Sequence, residues 1–341
     1  MKHSTVRYSE ELYRNNIYDF YFSGMRTGVL AIETTGLDPS RNRFILGGLY
    51  DCGTCTIHQY FAEKRSEEPE ALAGFLSVLD SLDMVITYNG RHFDIPFIEK
   101  RLRAASEASG SVSGMQLPCD TYSMPYDLDL YLVLNGHSPI RRFVPNMKQK
   151  TVENYMGLWQ DRKDEISGAE SVELYDRYEK TGDDALKEKI LLHNSDDILQ
   201  LTRLTKVRHK CDFHKAMFYL GFPAGPLTVS KIRTGRDYID ISGIQRTCAV
   251  DYRSFMDLSC PADARFSSTD RTFTIRLPAV RDSGLLIVDL EAFGIDKSGF
   301  SIYPGYGSGF LVIEDPSGHR HMEINHFIKE FLRGFMMDMD A

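Results

Sequence analysis

Residues 28–35 (GVLAIETT) form an apolar, β-forming run bounded by Gly36 and by Asp38-Pro39. Such a run reads as a buried strand, and the segments after it must supply its neighbours and cover. Residues 43–50 and 56–61 read as the next two strands of an antiparallel meander. Residues 67–82 carry helical spacing, with Leu72, Phe75, Leu76 and Leu79 on one face. Residues 84–88 read as a fourth strand, and residues 93–105 as a helix in which Pro96 is tolerated only near the first turn. Leu191, Leu192, Ile198, Leu201 and Leu204 make residues 190–207 a strongly amphipathic helix. Three strands, a helix, a strand and further helices predict an α/β sheet with helices packed on it.

After about residue 215 the texture changes. Residues 221–226 (GFPAGP) look like a junction. Short β-like runs follow at 238–241, 272–277, 285–290 and 310–313, then a closing helix over 324–335. The expected division is a larger domain over 1–215 and a small β-rich accessory domain over 216–341. No run approaches the roughly 18–20 consecutive apolar residues of a membrane span. The polar N-terminus does not read as a secretory signal, so a cytoplasmic protein without a membrane partner is expected.

Six cysteines lack framework spacing, which favours reduced thiols. Cys52 and Cys55 form a lone CxxC between two strand-like runs and read as a hairpin turn rather than a metal or redox site. The net charge of −8 weighs against a phosphate-binding protein, yet a cluster of metal-binding acids lowers net charge and a local basic groove suffices.

Three segments each place a carboxylate at or near an element's end. Glu33 lies near the end of the first strand and shares a face with position 31. Asp94 starts a helix after the turn Tyr88-Asn89-Gly90-Arg91-His92-Phe93, and Asp197 lies one helical turn after His193. Phosphodiester hydrolysis explains such a gathering. Hard oxygens bind Mg²⁺ or Mn²⁺, and two ions about 3.5–4 Å apart stabilise the attacking and leaving oxygens. A histidine near the attacking water can serve as general base.

Ile32-Glu33-Thr34-Thr35-Gly36-Leu37 resembles the first motif of the DEDD 3′–5′ exonucleases, and the run from Tyr88 to Phe97 resembles the second. His193-Asn194-Ser195-Asp196-Asp197-Ile198 resembles the third, in the form found in YprB-like ribonuclease H-like proteins. Asn146-Met147-Lys148-Gln149-Lys150-Thr151 and Ile166-Ser167-Gly168 are similar to that family's linking region, so the resemblance spans about residues 28–207. It implies a ribonuclease H-like mixed sheet flanked by helices, and stepwise removal of nucleotides from a free 3′ end of DNA or RNA. It further implies that Glu33 and Asp197 bind the water-activating ion, that Asp94 holds the second ion through water, and that His193 orients or deprotonates the attacking water. Thr34, Asn89, Phe93, Lys148 and Lys150 are candidate substrate contacts. A helicase or other repair protein is the kind of partner implied.

The sequence departs from the family at Ala31, where the motif has an aspartate that bridges both ions. The chain is therefore expected to be inactive or nearly so. With the rest of the motif intact, a deliberate Asp→Ala substitution is favoured over a natural pseudoenzyme. A module that grips nucleic-acid ends without cutting is the alternative, and an interaction protein using its C-terminal part is a third reading. Taken singly, each acid has a plain explanation: Glu33 as a solvated strand end, Asp94 as a helix cap, Asp196 and Asp197 as a solvated helix face, His193 as a core histidine. In order and in context they read as one site, with Asp196 outside the motif spacing. Phe93 reads more readily as core, Asp129 as a structural residue, and the lysines as a phosphate path or a solvated basic face.

Overall fold

The computed structural model describes residues 1–109, 123–158, 162–164, 166–256 and 261–339. Cys119 and Cys260 lie outside them. The chain divides into two compact units, Met1–Asn16 with Ser23–Cys211, and Ile17–Phe22 with Asp212–Ala341.

In the first unit six strands form one mixed sheet: β1 (Lys2–Arg7), β2 (Thr27–Thr34), β3 (Phe44–Asp51), β4 (Thr56–Phe61), β5 (Met84–Thr87) and β6 (Tyr126–Asp129). Their order is β1-β4-β3-β2-β5-β6. β2, β3, β4 and β1 pair antiparallel, as short hairpin connections permit. β5 joins β2 in parallel and β6 joins β5 in parallel, each after a helical crossover or a long connection. Cys52 and Cys55 sit in the tight β3–β4 turn as free thiols. β1 escapes sequence reading because KHSTVR is an edge strand without apolar alternation.

After α1 (Asn16–Phe22), two helices, α2 (Glu68–Leu79) and α3 (Asp94–Ser109), pack Phe75, Leu79, Phe97 and Leu102 with Leu30, Ile32 and Leu49 of the sheet. α4 (Leu130–His137) and α5 (Gln149–Tyr155) follow β6. A second cluster joins Ile45, Leu46 and Phe61 to Tyr175 and Tyr178 of α6 (Gly168–Thr181) and to Leu186 and Ile190 of α7 (Asp184–Leu204). β2 is thus covered on both faces, which is why its sequence is a continuous apolar run. α6 begins in a Ser167–Glu170 capping box and ends on Gly182 in the left-handed region.

Consecutive glycines of β3 let helices approach both faces. A Cβ on Gly47 would fall 2.5 Å from the Phe75 ring, and one on Gly48 would fall 1.9 Å from Asn194 Oδ1. Gly48 pairs with Ala31, so the close approach of α7 occurs where β2 carries its motif.

The second unit contains residues 17–22 of α1, α8 (Phe213–Leu220) and β7 (Phe222–Ala224), β8 (Leu227–Thr234), β9 (Tyr238–Gln245), β10 (Tyr252–Ser254), β11 (Asp263–Ser267) and β12 (Thr272–Pro278). These strands form an antiparallel sheet ordered β10-β11-β12-β9-β8-β7. β13 (Val280–Asp282), β14 (Leu285–Asp289), β15 (Tyr306–Gly307), β16 (Phe310–Asp315) and β17 (Gly318–His319) make a smaller sheet, and α9 (His321–Met339) follows. The expected junction at 221–226 is instead paired structure: Phe222 is fully buried and β7 pairs with β8.

Candidate active site

β2 carries Glu33 on the face that meets α7, and α7 carries His193 and Asp197 one turn apart. His193 Nε2 lies 3.8 Å from Glu33 Oε1 and 3.7 Å from Asp197 Oδ2. One ligand atom from each residue falls within 4.8 Å of the others. Two hard carboxylates and an imidazole at that separation suit one divalent cation.

Asn194 fixes this register. It is fully buried, donates from Nδ2 to the Ala31 carbonyl at 3.0 Å, and accepts from Gln59 Nε2 at 3.0 Å. Gln59 Nε2 also donates to the Leu191 carbonyl at 2.9 Å. An amide reading β2, β4 and α7 together pins the helix to the strand. Its position inside the third motif was visible in the sequence; its structural duty was not.

His193 is held from behind. Its Nδ1 donates to Asp164 Oδ2 at 2.6 Å, which leaves Nε2 facing Glu33 and Asp197. Asp164 also binds Arg162 and, at 3.2 Å, Lys150 Nζ. Burial alone would raise the Asp164 pKa, but hydrogen bonds from His193 and Arg162 outweigh it and hold this carboxyl well below its usual range. Burial likewise opposes charge on His193, and its bond to Asp164 with the nearby Asp197 and Glu33 raises its pKa nonetheless. Arg162, its side chain 1% exposed, reaches Asp197 Oδ1 at 2.6 Å and Glu153 at 3.0 and 3.1 Å. Asp196 is buried, and its Oδ2 accepts the backbone N–H groups of Lys163 and Asp164 at 2.6 and 2.7 Å. The solvated face expected for Asp196 is therefore corrected: it anchors the segment that carries Arg162 and Asp164. None of Glu153, Arg162 and Asp164 belongs to a recognisable motif, so the second tier of the site was illegible in the sequence.

Glu33 is 8% exposed, and burial pushes its pKa up to about 7, with His193 opposing and Asp197 reinforcing the rise. Asp94 is equally buried and also raised to about 7 by burial, against the lowering effect of backbone hydrogen bonds. Its Oδ1 accepts the Ile32 N–H at 3.2 Å, on an edge of β2 beyond its last pairing with β5 at Val29. Asp94 thus stands at the site but outside the three-residue group. Ala31 presents only a methyl on the Glu33 face of β2.

The Thr34 hydroxyl donates to the Gly36 carbonyl at 2.8 Å. Asn89 adopts φ 66°, donates its N–H to Asp129 Oδ1 at 2.9 Å and approaches His92 through Oδ1. Asp129 is 1% exposed and also caps α4, so it organises the turn before Asp94. Phe93 is partly buried against the α2–α3 core, with its ring 5.7 Å from Phe97. Lys148 is exposed at the start of α5. Lys150 is committed to Asp164 and, at 2.6 Å, to the Ile166 carbonyl, an occupation that neither a phosphate path nor a solvated face anticipates.

No curated protein matches the chain. Among solved structures, the family B DNA polymerase from the hyperthermophilic archaeon Pyrobaculum calidifontis is similar at 19% identity and a TM-score of 0.42, over 54% of this chain and 24% of the polymerase. E. coli exonuclease I in complex with a dT13 oligonucleotide is similar at 10% identity and a TM-score of 0.33, over 90% of this chain and 71% of that one. A further exonuclease I structure gives 13% identity and a TM-score of 0.28, over 64% of this chain and 55% of that one. This chain thus spans about a quarter of the polymerase. A family model described as the RNase_H superfamily matches residues 29–208, from β2 through the end of α7. That match covers more than half of the chain and every strand and helix that bears the site, and the chain belongs to the RNase H superfamily.

Proposed function

We propose that the first unit is the catalytic domain of a metal-dependent 3′–5′ exonuclease acting on DNA or RNA, of the YprB-like kind, and that Ala31 leaves this chain inactive or nearly so. The observation that carries the proposal is the convergence of Glu33, His193 and Asp197 within 4.8 Å, on the fold to which the chain belongs. Glu33 and Asp197 are the residues that would hold Mg²⁺ or Mn²⁺, with Asp94 serving a second ion through water. Bound there, the ions would acidify a water and shield the leaving oxygen. His193 has its Nδ1 spent on Asp164, so Nε2 is the atom placed to orient the water or take its proton. Thr34, Asn89 and Lys148 line the approach for a 3′-terminal nucleotide, and the second unit serves as an accessory domain of this nuclease.

Ala31 removes the carboxylate that would bridge two ions, an electrostatic contribution on the order of several kcal/mol. A second reading, a module that holds nucleic-acid ends without cutting them, is favoured by Ala31 and by the ion pair that Arg162 makes with Asp197. The two readings separate on 3′- and 5′-labelled DNA and RNA oligonucleotides. The Ala31→Asp variant is expected to shorten substrates from the 3′ end in Mn²⁺ and not in EDTA, while the unsubstituted chain leaves them intact. Binding without cleavage by the variant would overturn the nuclease reading and favour the holding module.

A further inference from the structure

The register of the second unit's larger sheet aligns its exposed cations in rows. Lys231 pairs with Ser242, Ser242 with Thr274, Thr274 with Arg265, and Arg265 with Arg253. This first row crosses five strands and contains three cations, two hydroxyls and no acid. The neighbouring row runs Arg233, Asp240, Arg276, Asp263. All five cations are exposed, while the residues between them, including Ile232, Ile241, Ala264 and Ile275, are buried beneath the sheet. Strands repeat at about 4.8 Å, so the first row extends about 19 Å.

Charge on this face runs against the molecule. Five cations less two acids leave +3 on the two rows, in a chain whose net charge is −8. Arg276 is spent on Asp240 through bonds of 2.7 and 2.9 Å and lies over the Tyr238 ring. Lys231, Arg233 and Arg265 have no ion-pair partner among the described residues. Between the rows lies a hollow of about 420 Å³ lined by Lys231, Arg233, Ser242, Thr274, Arg276 and the two acids. The first row ends beside Phe255, which is 63% exposed, with the Arg253 guanidinium 4.7 Å from its ring centroid.

We propose that this face binds the backbone of single-stranded nucleic acid, with Lys231 holding phosphate at one end of the row, Arg265 and Arg253 at the other, the Ser242 and Thr274 hydroxyls between the two ends, and Phe255 as a stacking platform beside Arg253. Cations flanking a pair of hydroxyl donors match phosphate and sugar oxygens. An exposed aromatic at the end of the row suits a base, for which an acidic peptide has no counterpart. The choice of occupant rests on the nuclease reading; the binding itself does not require a working catalytic site.

The test uses the full chain in EDTA, where no cleavage occurs, and follows the fluorescence anisotropy of a labelled oligothymidylate across a salt series. The Lys231→Glu/Arg265→Glu variant is expected to bind at least about tenfold more weakly, and its salt slope to flatten by about 1.4 for two lost phosphate contacts. Lys231→Ala/Arg265→Ala, with thermal melting alongside, carries the same expectation with less disturbance to the fold. Unchanged affinity and slope in variants that melt like the parent would overturn the proposal. So would displacement of the oligonucleotide by polyglutamate of equal charge, which would assign the face to an acidic protein. Weakened binding here together with an inactive Ala31→Asp variant would retain this surface and remove only the nuclease reading.

Discussion

Arg162 holds three acids at once, Glu153, Asp164 and Asp197, with its own side chain almost fully buried. Charges withdrawn from water are tolerated only when paired and hydrogen-bonded, and removing one partner costs more than the pair contributes. Replacing Arg162 with methionine would leave buried Glu153 without its cation, holding only the Gln149 amide, and Asp164 with His193 and Lys150. The expected loss is about 3 kcal/mol of stability, read as a lower midpoint in urea unfolding. A change below about 1 kcal/mol would mean that the cluster relaxes into water and that Arg162 does not organise it. The motif residues Glu33, Asp94, His193 and Asp197 were legible because each stands in a recognisable string. Arg162 and Asp164 were not, because a charged residue in a connecting segment carries no periodicity to mark it as buried, and Glu153 sits in a seven-residue helix too short to show one. Lys150 shows the same blindness in reverse: a lysine among basic neighbours reads as surface until its acid partner is placed.

At the scale of elements, β2 and α7 settle the site between them, through the Gly48 approach and the Asn194 clasp. β2 was legible as an uninterrupted apolar run, and the buried stripe of α7 as amphipathic spacing. α7 begins at Asp184, earlier than its apolar stripe suggests, because Asp183 caps it and its first turn is polar. β8 was missed because the register shift between Val229 and Lys231 breaks its alternation, and β11 because it is only five residues long with two charged residues among them. A second element yields a pH dependence. His326 of α9 stacks on Phe300 at 4.2 Å and accepts from the Tyr303 hydroxyl at 2.9 Å. Burial, with Lys329 and Arg333 adding to it, lowers its pKa to about 4. The unfolded chain therefore binds a proton at higher pH than the folded one. Stability contributed by neutral His326 is complete above the unfolded value near 6.5 and falls as pH drops towards 4. The expected loss is on the order of 2 kcal/mol after allowance for partial exposure, and His326→Phe should flatten that part of the stability–pH curve. An equally steep curve in the variant would assign the dependence to other groups.

At the scale of the whole molecule, two compact units carry two different electrostatic characters. The first gathers buried acids around His193, and the second spreads cations over an exposed sheet face, while the net charge of −8 conceals the contrast. The α/β character and the β-rich second part were legible from the order of apolar runs. The second unit's inclusion of residues 17–22 was not, because a seven-residue helix gives no sign of which core receives it. No helix of the described residues is long and apolar enough to cross a membrane. On the proposed reading, Glu33 and Asp197, with Asp94 through water, hold divalent cations beside His193 in a centre that lacks one ligand at position 31. Calorimetric titration of Mn²⁺ into this chain and into Ala31→Asp, with Glu33→Gln added as a third arm, reads this centre. Ala31→Asp is expected to bind Mn²⁺ at least about tenfold more tightly than the unsubstituted chain, and adding Glu33→Gln is expected to abolish the gain. Equal binding by the chain and its Ala31→Asp variant would contradict that reading.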